Sequence, residues 1–65
     1  MSLSITAMER LMKKAGASRV SEDAKSALKD ALEDHAIRIS EKAWLIAKHS
    51  GRKTIKASDI KISIR

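Results

Sequence analysis

The chain has 65 residues, with fourteen Lys and Arg against eight Asp and Glu, a net charge of +6, no cysteine, no proline, two glycines and a single aromatic residue, Trp44. A chain so short buries only about 60% of the surface its unfolded form exposes, and neither a disulfide nor a structural zinc is open to it, because the two histidines, His35 and His49, stand without any other soft ligand. What remains is association with a second chain or unusually good helix packing, and the basic balance calls for an acidic partner, nucleic acid before anionic membrane.

The composition is that of helices, and the two glycines cut it into three stretches. The first is expected over about residues 6–15, opened by Thr6 and Glu9 at the Thr-x-x-Glu spacing of a capping box. Its apolar stripe is Met8, Leu11, Met12 and Ala15, and Gly16 supplies a left-handed stop. The second stretch opens at Ser21, an N-cap residue followed by Glu22 and Asp23, whose charge suits the positive end of the helix dipole. It runs unbroken to Gly51, with Ala24, Leu28, Ala31, Leu32, His35, Ile39, Ala43 and Ile46 recurring at spacings of three and four. Residues 52–56 are short and β-branched, which argues for a loop. A last short helix is expected from about Ala57, with Asp59 in its first turn, although Ile60, Ile62 and Ile64 alternate in a way that also reads as a strand.

From Glu22 to His49 the second helix is about 42 Å long at 1.5 Å per residue. A compact monomer of this length has a diameter of about 28 Å. The helix is too long for one globule, and since nothing inside it is a breaker, the geometry predicts an obligate dimer in which two long helices cross.

The charge is segregated. Residues 1–20 carry Arg10, Lys13, Lys14 and Arg19 against Glu9; residues 21–47 are net acidic; residues 48–65 carry six bases against Asp59. A membrane-surface helix would hold its bases on the long helix, which is here the acidic part. No apolar run is longer than the five residues 43–47, far short of the roughly 20 needed to span a bilayer, and the first five residues lack the features of a signal peptide. The chain is therefore expected to be soluble and intracellular, in the cytoplasm. Loop bases beside Ser21 and Thr54, close to helix starts, are what phosphate oxygens require. Duplex DNA is favoured over single strands, which are held by several stacking aromatics. No nucleophile–base–acid set, metal cluster or phosphate-cradling glycine loop can be assembled, so neither an enzyme nor a cofactor is expected.

Three segments then resemble a known family. Residues 13–17 (Lys-Lys-Ala-Gly-Ala), 19–24 (Arg-Val-Ser-Glu-Asp-Ala) and above all 51–60 (Gly-Arg-Lys-Thr-Ile-Lys-Ala-Ser-Asp-Ile) are similar to the archaeal histones, and the likeness extends over nearly the whole chain. It implies an all-α histone fold in one domain, residues 1–65: short helix, loop, long central helix, loop, short helix, two chains clasped head to tail. It also implies that residues 19–21 of one chain lie beside residues 54–56 of the other. A dimer would then meet double-stranded DNA at two paired-loop ends and one centre, about 30 bp in all if the minor groove faces inward every 10 bp.

By motif position, Arg19 resembles the arginine that enters the minor groove, oriented by Thr54 of the partner chain, and Arg10 the one that reaches it at the dimer centre. Lys53 and Lys56 match phosphate-contacting positions, with Lys13 adding to that surface. Arg52 and Asp59 resemble an internal ion pair bracing the second loop. Ile46, His49 and Asp59 fall where dimers meet dimers, His49 pairing with the neighbour's Asp59; an equal reading makes His49 a helix-end residue favoured by the dipole. In the first case the contact weakens as pH rises through the range where a histidine loses its charge. The implied partners are DNA, a second copy in an obligate dimer, tetramers or longer stacks on DNA, and other histone paralogues.

There are departures. Trp44 is unusual for the family and is read as packing at a dimer or dimer–dimer surface. Lys14 is basic where the family often has an acid, and no role is assigned to it; Lys61 stands where an acid is common and Asp30 where a base is common, a reversal that would preserve a contact between turns of a stacked superhelix. Two alternatives stay open: a histone-fold subunit that pairs with other proteins, and a dimer that coats duplex without wrapping it.

Overall fold

The computed structural model describes residues 3–65. Among them are three helices and no strand: α1 (Ile5–Lys14), α2 (Glu22–His49) and α3 (Ala57–Ser63). This short–long–short order is the one the resemblance implies. The strand reading of the last segment is thereby rejected, since seven residues from Ala57 are helical despite their isoleucines. No helix among the described residues is long and apolar enough to cross a membrane.

The start of α1 corrects the sequence reading. Ser4, not Thr6, is the N-cap: its Oγ accepts the Ala7 N–H at 3.0 Å, ahead of the expected box. Thr6 lies inside the helix, and Glu9, which was to close the box, is drawn instead to Lys25. A charged partner on another helix outweighs a reach back to a backbone amide.

The other boundaries follow their local chemistry. Gly16 and Gly51 adopt φ of +113° and +74°, the left-handed region that glycine enters without a Cβ penalty. Each closes a paired hydrogen-bond motif on the carbonyls of its helix. Ala17 N–H bonds Met12 O and Gly16 N–H bonds Lys13 O; Arg52 N–H bonds Ala47 O and Gly51 N–H bonds Lys48 O. Ser21 caps α2, its Oγ accepting the Ala24 N–H at 3.1 Å.

The chain forms two compact units, one through Asp34 and one over His35–Arg65, with α2 contributing to both. Among the described residues of the first, Met8 is the buried apolar side chain, and Lys25 is buried with it. In the second, the buried residues are Ala43, Ala47, Asp59 and Ser63, two of them polar. Neither interior resembles the apolar core of a self-sufficient domain. Meanwhile large apolar side chains stand open along α2 and at the end of the chain: Ile37 is 60% exposed, Ile64 61%, and Leu45 and Ile62 half exposed. At about 25 cal/mol per Å² of apolar surface, a chain that leaves these side chains in water forgoes much of its driving force for folding.

Candidate nucleic-acid interface

The first unit presents its bases from α1 and the loop after it. Met8 points inward, which sets Arg10 and Lys13, two and five residues on, on the exposed side of α1. Arg19 is exposed on the loop over residues 15–21, held at one end by the Gly16 turn and at the other by the Ser21 cap.

Beneath this surface lies a cluster that sequence reasoning missed. The Lys25 ammonium is 3.0 Å from Glu9 Oε1 on α1 and 2.8 Å from Glu22 Oε1 on its own helix. Lys25 is only 8% exposed. Its hydrogen bonds to Glu22 and Glu9 hold its pKa above the ordinary lysine value, and the same lysine, first by hydrogen bond and then by charge, holds Glu9 below the ordinary carboxylate value. A signal was available: Lys25, Leu28 and Leu32 are spaced by three and four, so the lysine stands on the covered stripe of α2.

The second loop is built from the Gly51 turn outward. With its amide tied to Ala47 O, Arg52 extends its guanidinium to Asp59 in two parallel hydrogen bonds, Nη1 to Oδ2 at 3.0 Å and Nη2 to Oδ1 at 2.8 Å. Nη1 also donates to Thr54 O at 2.9 Å. Asp59 Oδ2 accepts the Lys56 N–H at 2.8 Å, so one carboxylate both receives the guanidinium and caps α3. Ser63 Oγ donates to Asp59 O one turn back within α3 at 2.7 Å.

Solvent reaches little of this pair. The Asp59 side chain is 2% exposed, Arg52 partly covered, and the pairing is of the bidentate kind in which Arg and carboxylate match in geometry as well as charge. Arg52 first, then the Lys56 amide, holds the Asp59 carboxyl below its ordinary range, and Asp59 raises Arg52 in turn. Lys53, Thr54 and Lys56 all remain exposed on the braced loop.

Arg19 belongs to the first unit and Thr54 to the second. Of the residues assigned to dimer–dimer contact, Ile46 and His49 line an open groove of about 650 Å³ with Lys42, Leu45, Ile62 and Arg65, while Asp59 faces Arg52. Trp44 is 37% exposed. Lys14, Asp30 and Lys61 are exposed. Among the described residues no group of three or more His, Cys, Asp or Glu could hold a metal ion.

Comparison with known proteins bears on this arrangement. A family model described as histone-like transcription factor (CBF/NF-Y) and archaeal histone matches residues 1–64. An archaeal histone HAN1 polypeptide of Thermococcus zilligii is 49% identical over 63 residues, 97% of this chain and 94% of that protein. Probable archaeal histone 3 of Methanocaldococcus jannaschii is 48% identical over 56 residues, 86% of this chain and 84% of the other.

Proposed function

Because the chain belongs to the family of histone-like transcription factors (CBF/NF-Y) and archaeal histones, we propose that it is an architectural protein that dimerises through its histone fold and wraps duplex DNA with little sequence preference. The observation that carries this reading is where the charge stands. Arg10, Lys13, Arg19, Lys53 and Lys56 are all exposed on α1 and the two loops, and the loops that bear three of them are braced by caps, a glycine turn or an ion pair. Bases held ready on short loops meet phosphate without a large loss of side-chain freedom.

Dimerisation supplies what the single chain lacks. A second α2 laid across the first covers Ile37 and Leu45, and it brings the first loop of one chain beside the second loop of the other. Arg19 then enters the minor groove, steadied by the partner chain's Thr54; Arg10 does so at the dimer centre; Lys13, Lys53 and Lys56 take phosphates. Specificity comes from how readily the duplex bends, since arginines that probe groove width read no base code. Dimers then join through Ile46, His49 and the neighbour's Asp59 into tetramers or longer stacks along DNA. A protein-interaction module would have no use for exposed bases on both loops, which favours the DNA reading.

Two measurements test this. If a dimer neutralises roughly six to ten phosphates, its affinity for duplex falls by about 10³–10⁵ between 50 and 200 mM salt; a flat response excludes the reading. Nuclease digestion of the complex yields protected lengths in steps of about 30 bp, the length set by three groove contacts. A smear would replace wrapping by simple coating.

A further inference from the structure

Among the described residues, Lys25, Asp59 and Ser63 are the buried polar or charged side chains. Asp59 braces the second loop, and Ser63 bonds one turn back within its own helix. Lys25 does not, and what it holds is unusual for its surroundings: Glu9 is the one acid among the first twenty residues, set next to Arg10 and four residues before Lys13. Glu followed by Lys at i,i+4 on a helix is the favourable orientation for a pair, and the charge of Lys13 acts on the Glu9 carboxylate alongside that of Lys25. Left to α1 alone, the carboxylate would settle on Lys13, cancel its charge, and place negative charge within the surface assigned to phosphate. Instead Glu9 Oε1 lies 3.0 Å from the Lys25 ammonium, beneath α1, while Lys13 and Arg10 are exposed.

We infer that Lys25 is a positioning residue for DNA binding: by taking up the Glu9 carboxylate where α1 meets α2, it leaves Lys13 and Arg10 available to duplex phosphate. Glu22, bonded to the same ammonium at 2.8 Å, fixes the lysine's rotamer from the side of α2. This rests on the reading of α1 as a DNA-facing helix.

The test is salt titration of binding to a duplex longer than 30 bp, with the full chain and five variants. Lys25→Gln is expected to bind several-fold more weakly and to lower the salt slope by about one per chain, as though a phosphate contact were lost. Glu9→Gln is expected to bind at least as tightly as the parent. Glu9→Gln/Lys25→Gln is expected to recover at least the parent affinity, and Lys25→Arg to retain it. Lys29→Gln removes the same charge one turn along α2 and serves as control.

A loss in Lys25→Gln no greater than in Lys29→Gln overturns the inference. A double variant as weak as Lys25→Gln also overturns it, since Lys25 would then be a structural clamp only. Should Lys25→Gln fail to fold, Glu9→Gln decides, and an affinity weaker than the parent's is the overturning result, since Glu9 would then matter only as a structural clamp. A parent chain that does not bind duplex removes the proposed function itself, and this inference with it.

Discussion

Each half of the molecule has beside its basic surface an ion pair with one buried member, but the two braces are built differently. In the second unit Arg52 meets Asp59 across seven residues of one loop, with two side-chain bonds, a bond from Arg52 to Thr54 O and a bond from the Lys56 amide. In the first, Lys25 joins two helices through single contacts to Glu9 and Glu22. A guanidinium is a planar fork with fixed geometry, whereas an ammonium is a compact charge that serves carboxylates on any side. The loop that carries Lys53, Thr54 and Lys56 has the rigid device, and the junction of α1 and α2 has the adaptable one.

The largest expected effect breaks the rigid brace. Asp59→Asn keeps the shape but removes the charge that Arg52 faces and sets amide N–H groups against other donors. Thermal unfolding should show the greatest fall in midpoint of any single variant named here, accompanied by weaker DNA binding. A midpoint lowered no more than by Glu9→Gln would mean that the two braces are equivalent.

The same contrast should appear against pH. Arg52 and the Lys56 amide lower the Asp59 pKa in the folded chain, so its stabilisation is present in full above the unfolded carboxylate value of about 3.9 and is lost as pH falls through the lower, folded value. Glu9 is lowered as well, by Lys25, but its side chain is 36% exposed and solvent screens the pair. Acid unfolding followed by circular dichroism should therefore flatten more in Asp59→Asn than in Glu9→Gln. Equal slopes would contradict the comparison.

Gly51→Ala comes next. A Cβ at Gly51 meets nothing within 4 Å, so the cost is that of a left-handed residue alone, about 1–2 kcal/mol. Denaturant unfolding would read it; a much larger loss would show that the whole second brace shifts with the turn. Smallest is Ser21→Ala, about 1 kcal/mol for a lost N-cap, which should leave the second loop's DNA contacts in place.

Much of the backbone was legible in advance because its determinants are local. Gly16, Gly51 and Ser21 act on carbonyls and amides within five residues, so the bounds of α2 are written beside it. The charge segregation that pointed to loops and α1 survives in the structure as exposed Arg10, Lys13, Arg19, Lys53 and Lys56. Where the reading failed, a distant partner intervened. Glu9 has the spacing of a capping box, yet Lys25 lies sixteen positions on and claims it. For Asp59 the resemblance supplies the partner, Arg52, but neither the depth of burial nor the bond from the Lys56 amide.

Helix order, helix ends, the excess length of α2 and the poverty of apolar material for a lone core were all determined by the sequence itself, since each depends on spacing and composition along one chain. Which charges are buried was decided only by the tertiary structure. Burial depends on what another segment brings within about 3 Å, and for Lys25 and Asp59 that neighbour is the carboxylate or guanidinium that lets a charge leave the solvent.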